Sequence, residues 1–148
     1  MMIPDKGYSE LRKGRYSEVG FVYHIVFSTL NRKPIFSDEK LAQQLIKILK
    51  EDEVKQFTCT LSFVVMPDHI HWLFQLNKGD VSQAAQRVKS IFTMNTGLKV
   101  WNPGFYDHAI RTDESLVNVA RYIVANPLRA GLVKSIGDYP YWDSIWLE

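Results

Sequence analysis

The sequence predicts an α+β domain built on a mainly antiparallel sheet with helices packed against it. Two stretches alternate side chains with the period of a strand and are joined by the short turn MPD. Three others carry apolar residues at helical spacing, and the elements follow the order βαββαβα. A sheet of this kind can give one face to a core and the other to a ligand.

The elements are justified in turn. Residues 1–19 read as an irregular arm in which Lys6, Arg12, Lys13 and Arg15 face only Asp5 and Glu10. FVYHIVFST (21–29) is aromatic and β-branched, hence a strand, and NRKP breaks it. Ser37 is expected to cap a helix over 38–51 with Leu41, Leu45, Ile48 and Leu49 on one stripe. In FTCTLSFVV (57–65), Phe57, Cys59, Leu61, Phe63 and Val65 take one face and Thr58, Thr60 and Ser62 the other. HIHWLFQL (69–76) returns as the second arm of the hairpin. Asp80 caps a helix over 81–96, whose stripe is Val81, Ala84, Ala85, Val88 and Ile91 or Phe92. WNPGFYDHAIR (101–111) reads as a loop and a short strand. TDESLVNVARYIVAN is a helix with an acidic first turn that ends near Asn126, because Pro127 disfavours helical geometry before it.

Composition bounds the function. The 148 residues are read as one domain over 1–148, and 46% hydrophobic and 13% aromatic content excludes a disordered chain. Cys59 is the single cysteine, which excludes an internal disulfide framework and fits a reducing compartment. No apolar run reaches membrane-spanning length and MMIPDKGYSE has no hydrophobic signal region, so a cytoplasmic protein without a membrane partner is expected. A formal charge of +2 permits a nucleic-acid partner without requiring one.

The chemistry concentrates in MPDHIHWLFQL. Ile70, Trp72, Phe74 and Leu76 point to one side of that strand, and His69, His71, Leu73 and Gln75 to the other. Two parallel imidazoles can chelate one ion or can simply be hydrogen-bonded on a sheet surface, and the pair alone does not choose. The last helix adds a buried stripe of Leu116, Val119, Ala120 and Ile123, and a second row of Asn118, Tyr122 and Asn126 at four-residue spacing. If that row looks onto the histidines, Asn126 can supply an oxygen ligand and Tyr122 stands beside the ion. A phenol with a pKa near ~10 is a weak nucleophile at neutral pH. A divalent cation would help by stabilising phenolate and polarising a phosphoryl oxygen. The plainer alternative is a Tyr122 that fills the helix–sheet interface.

MPDHIHWLFQL resembles the HUH signature (histidine, hydrophobic, histidine) of single-tyrosine DNA transposases, the IS200-like group, and ARYIVANPLRAGLV resembles their tyrosine helix. The match is to the REP-associated tyrosine transposases, with RKGRYSE (12–18) similar to their N-terminal arm and YHIVFST to their first strand. FYDHAIRTDESLVNVARYIVANPLRAGLV is similar to their C-terminal half. The resemblance implies the HUH transposase fold, a ferredoxin-like or RRM-like antiparallel sheet flanked by helices. It implies Tyr122 as nucleophile, and His69 and His71 with Asn126 as ligands of Mg²⁺ or Mn²⁺. The implied substrate is single-stranded DNA beside a hairpin palindromic repeat. Cleavage would leave a 5′-phosphotyrosine and a free 3′ hydroxyl, and rejoining reverses it without a nucleotide cofactor. Asp68 stands where many relatives carry asparagine, and the choice between monomer and homodimer stays open.

For DNA binding, the arm with Arg12, Lys13 and Arg15 is the first candidate, and Tyr16 is available to stack on a base. Lys89, in a polar row with Gln86 and Thr93, is expected to reach a phosphate, and Arg111, Arg121 and Arg129, which surround the tyrosine helix, to do likewise. His24 reads as a core residue, and His108 as either near the site or bracing a turn. Two rivals remain. One is a catalytically silent relic transposase that only binds DNA hairpins. The other is a metal-dependent hydrolase using water, which needs a general base and more carboxylates than stand near the histidines.

Overall fold

The structure, a computed structural model, describes residues 17–111 and 115–146. Arg12, Lys13, Arg15 and Tyr16 lie outside the described residues. The elements are β1 (Val22–Ser28), α1 (Glu39–Val54), β2 (Thr58–Met66), β3 (His69–Leu76), α2 (Val81–Thr96), β4 (Tyr106–Ala109), α3 (Leu116–Val124), α4 (Asn126–Arg129) and β5 (Trp142–Ser144). The strands form one antiparallel sheet in the order β4-β1-β3-β2-β5. Its first four strands have the split arrangement of a ferredoxin-like sheet. The α+β expectation and the order of the first seven elements hold, and β5 and α4 are additions. No helix among the described residues is long and apolar enough to cross a membrane.

One face of the sheet is a closed core. Tyr23, Ile25 and Phe27 from β1, Ile70, Trp72 and Phe74 from β3, and Phe63 and Val65 from β2 are buried there. α1 covers them with Ala42, Leu45, Ile48 and Leu49, and α2 with Val81, Ala84, Ala85, Val88 and Phe92. Each large side chain sealed in this way contributes ~1.5–3 kcal/mol of apolar burial. The cap of α1 is Asp38, whose carboxylate accepts from the Lys40 and Leu41 N–H groups at 2.9 and 3.2 Å, and not Ser37, which belongs to a preceding 3₁₀ turn. α2 begins as expected at Asp80, in a reciprocal capping box with Gln83. It ends on Gly97, whose φ of 74° is the left-handed geometry glycine adopts freely.

The alternation read for β2 holds only in its second half. The register against β3 shifts between Thr60 and Ser62, so Leu61 forms a bulge and parity reverses before it. Thr58 and Thr60 therefore face the core side with Phe63 and Val65, while Cys59 and Leu61 face the other way. The threonine hydroxyls are satisfied there. Thr58 Oγ1 donates to Asp52 Oδ2 at 2.6 Å, and Trp72 Nε1 donates to Thr60 Oγ1 at 2.9 Å. Asp52 also accepts from Arg87 Nε and, at 3.0 Å, Nη2, a buried pair that ties α1 to α2.

The second face is only partly covered. Ala120 and Ile123 of α3 pack on Val64, Met66 and Leu73, with Ile110 and Tyr139 completing a smaller cluster. The Tyr139 hydroxyl donates to the Val65 carbonyl at 2.6 Å and anchors the segment leading to β5. The tyrosine helix stops at Val124, slightly earlier than expected, and the chain restarts as α4 at Asn126. Proline cannot continue α3, lacking an N–H, but is accepted in the first turn of a new helix.

Candidate active site on the histidine face

The ladder puts all four histidines on the partly covered face. His24 in β1 pairs with His108 in β4 and with Leu73 in β3, and Val26 pairs with His71. Partners across a ladder share a face, and so do residues two apart along a strand. The assignment of His24 to the core is thus corrected. Tyr23, Ile25 and Phe27 take the core side, and His24 alternates to the other. That parity was readable in YHIVF, but an apolar strand concealed it.

Each histidine of the pair has its Nδ1 engaged. His69 Nδ1 lies 2.7 Å from Asp68 Oδ1, and Arg32 Nε donates to Asp68 Oδ2 at 2.8 Å. Asn31 and Arg32 both adopt left-handed backbone, with φ of 57° and 53°, and this turn brings Arg32 to the carboxylate. Burial pushes the Asp68 carboxyl up, but the hydrogen bonds from Arg32 and His69 outweigh it and hold it below the usual carboxylate range. An ionised Asp68 accepts a proton bond from Nδ1 and so leaves the lone pair of His69 on Nε2.

His71 Nδ1 lies 2.9 Å from His24 Nε2. Burial first, then His24, His69 and Arg129, lowers the His71 pKa to about 3; burial and His108 lower that of His24 to about 4. Both rings are therefore neutral at neutral pH. When His71 Nδ1 carries the donated proton, its Nε2 also presents a lone pair. The His69 and His71 ring centres are 5.1 Å apart at a steep angle.

These donors fit a divalent cation in a limited way. Among the described residues no three His, Cys, Asp or Glu side chains converge on a metal-sized point. The strand offers two imidazole nitrogens, while Asn126, expected as the third ligand, has its Nδ2 bonded to the Ile123 carbonyl of its own helix at 2.9 Å. Mg²⁺ and Mn²⁺ suit such a sparse set, because they keep several waters and take substrate phosphate oxygens as ligands.

Tyr122 sits on α3 with 56% of its surface exposed. The Arg129 guanidinium stacks on its ring at 3.8 Å from the centroid, and Arg129 Nη2 donates to the Tyr122 carbonyl at 2.8 Å. The same guanidinium is also, after burial, His24 and His69, among the influences that lower the His71 pKa. The sequence places Arg129 beside the tyrosine helix as a candidate phosphate contact. Its pairing with Tyr122 arises from the α3–α4 break, which sequence periodicity does not show.

Lys89 departs from its expected role at a phosphate. Its residue is 8% exposed, and Nζ donates to the carbonyls of Asn102 at 2.9 Å and Gly104 at 2.5 Å. The ammonium holds the loop before β4 from inside. That loop forms one wall of an open cleft of about 780 Å³ next to His69 and His71.

The site thus combines a partly covered sheet face, a histidine pair with both Nδ1 atoms engaged and a tyrosine on the covering helix. The family model for IS200-like transposases matches residues 17–126, and the chain belongs to that family. It is 37% identical over 83 residues to the REP-associated tyrosine transposase of Escherichia coli (strain K12), which spans 54% of this chain and 50% of that protein. The chain thus aligns with about half the length of that curated relative. It also superimposes on a REP-associated tyrosine transposase bound to a REP hairpin, with a TM-score of 0.71 at 28% identity, covering 86% of this chain and 79% of the other.

Proposed function

We propose that this protein is a metal-dependent single-stranded DNA endonuclease and strand transferase that acts beside hairpin palindromic repeats. Tyr122 is the nucleophile, and the reading rests above all on the engaged Nδ1 atoms of His69 and His71, which turn the Nε2 side of each ring to a ligand, with α3 and its Tyr122–Arg129 stack packed over the same face of the sheet. The similarity to a transposase bound to a REP hairpin supports the substrate class.

The Tyr122 oxygen attacks phosphorus, a P–O bond to tyrosine forms, and the bond to the 3′ oxygen breaks. The phenol gives up its proton and the departing 3′ oxygen ends protonated, so the step balances without a co-reactant. His69, His71 and Asn126 are the residues to hold Mg²⁺ or Mn²⁺, which when bound supplies Lewis-acid charge to the phosphate oxygens. Asp68, and His24 acting as acceptor through Nε2, hold the two imidazoles in the ligand tautomer. Arg129 holds the phenol ring by stacking and adds positive charge beside the phosphate. Rejoining runs the same step backwards, with a 3′ hydroxyl attacking the phosphotyrosine.

The test is a denaturing gel of wild type and Tyr122→Phe mixed with labelled single-stranded hairpin DNAs, with and without Mn²⁺. A band that survives denaturation, needs the metal and vanishes in Tyr122→Phe is expected. An adduct in both proteins contradicts Tyr122 as nucleophile. Binding without any adduct identifies the catalytically silent, hairpin-binding relic.

A further inference from the structure

The cleft beside the histidines is larger than a cation and one phosphate require, since about 780 Å³ is the size of a small-ligand site. Its floor is Val26–Ser28 of β1, Arg32 stands at its mouth, and Tyr106 closes the outer wall with 54% of its surface exposed. The wall is firmly built. Besides the two Lys89 bonds, Asn102 Nδ2 donates to Ser28 Oγ and to the Thr29 carbonyl, both at 3.0 Å. A buried ammonium is costly unless its donors are satisfied, and here the acceptors are the carbonyls of this loop. The result is a fixed slot with an exposed aromatic ring on one side and imidazoles on the other.

The position of this slot relative to Tyr122 decides what it holds. Phosphoryl transfer sets the attacking and leaving oxygens roughly in line through phosphorus. Tyr122 is carried by α3, which packs over β2, β3 and β5, whereas the cleft opens over β1 and the start of β4, past His69 and His71. A phosphate at the histidines attacked from the α3 side must release its other oxygen towards the cleft. In a cleavage that leaves a 5′-phosphotyrosine, that oxygen is the 3′ oxygen of the upstream nucleotide.

We infer that the cleft is the subsite for the nucleoside immediately 5′ of the cleaved bond, with its base stacked on Tyr106. Arg32, 61% exposed at the side chain and tethered to Asp68, is placed to meet the next phosphate upstream. Stacking of this kind tolerates any base, so the slot orients the 3′ oxygen more than it reads sequence. In the reverse reaction it holds the attacking 3′ hydroxyl in place. The inference rests on the proposed transesterification at Tyr122.

The experiment uses an oligonucleotide that wild-type protein cleaves, bound to Tyr122→Phe so that it stays intact. Fluorescent 2-aminopurine is placed on either side of the cleavage point in separate oligonucleotides. Quenching on binding is expected at the upstream position, is lost in Tyr106→Ala and is kept in Tyr106→Phe. An abasic upstream nucleotide should slow adduct formation by wild type by roughly tenfold or more, from the usual worth of a stacked base. Quenching at the downstream position, or upstream quenching that Tyr106→Ala leaves intact, overturns the assignment. Failure of the underlying reading looks different, because then no oligonucleotide gives an adduct with wild type, and the assignment falls with it.

Discussion

The two faces of the sheet use the same strands to opposite ends. On the core side every second residue of β1 and β3 is a large apolar side chain sealed by two helices. On the other side the alternate residues include His24, His69 and His71, and α3 covers only part of them. The first face is constrained by volume, since close packing registers the loss of even a methylene. The second is constrained by hydrogen-bond geometry, since its imidazoles have chemical value only in one tautomer and orientation. The comparison teaches that period-two alternation lets a single strand serve stability and chemistry independently.

Substitutions can break this division or sharpen it. Trp72→Ala, on the sealed side, should lower unfolding free energy by ~3–5 kcal/mol, measured by denaturant titration, because it opens a cavity and orphans the Thr60 hydroxyl. On the open side, His24→Ala should weaken Mn²⁺ binding by ~10–100-fold in calorimetry, as the loss of a hydrogen-bond partner to a ligand does. Its thermal midpoint should move far less than that of Trp72→Ala, and His24→Gln should recover part of the affinity. Equal damage to stability from both variants would erase the distinction.

A smaller effect is expected in the cluster under α3 on the second face. Burial, with Tyr141 beside it, pushes the Tyr139 phenol up to about 12, against an ordinary value of ~10. The folded protein keeps that proton through an interval in which the unfolded chain releases it. The contribution is therefore complete below pH ~10 and is lost as pH rises through the folded value. Tyr139→Phe should cost ~1–3 kcal/mol at neutral pH by leaving the Val65 carbonyl unpaired, and its stability should fall less steeply than wild type above pH ~10. A parallel fall in both proteins would contradict the buried donor role.

Much of this was legible in the sequence, and the gaps have physical causes. The sheet, the helices and the opposite facings of His69 and Trp72 follow from periodicity. The Leu61 bulge was hidden because an inserted residue leaves no mark in an alternating run. β5 is three residues long, too short for a pattern, and Asp38 and Ser37 are adjacent plausible caps. Lys89 sits in a polar row of its helix, and only the fold brings loop carbonyls from residues 102 and 104 to its ammonium. The Arg129 stack on Tyr122 depends on the restart of the helix at Asn126, and Tyr106 becomes relevant only once the cleft is seen.

Two tyrosines are exposed on the histidine side of the sheet, Tyr106 in the wall of the cleft and Tyr122 on α3, and they have different roles. The direct test is to form the protein–DNA adduct in Mn²⁺, digest it, and locate the modified residue by mass spectrometry. A nucleotide on Tyr122, joined through the 5′ phosphate, is the predicted result. A nucleotide on Tyr106 or on any other side chain would contradict the account of this site.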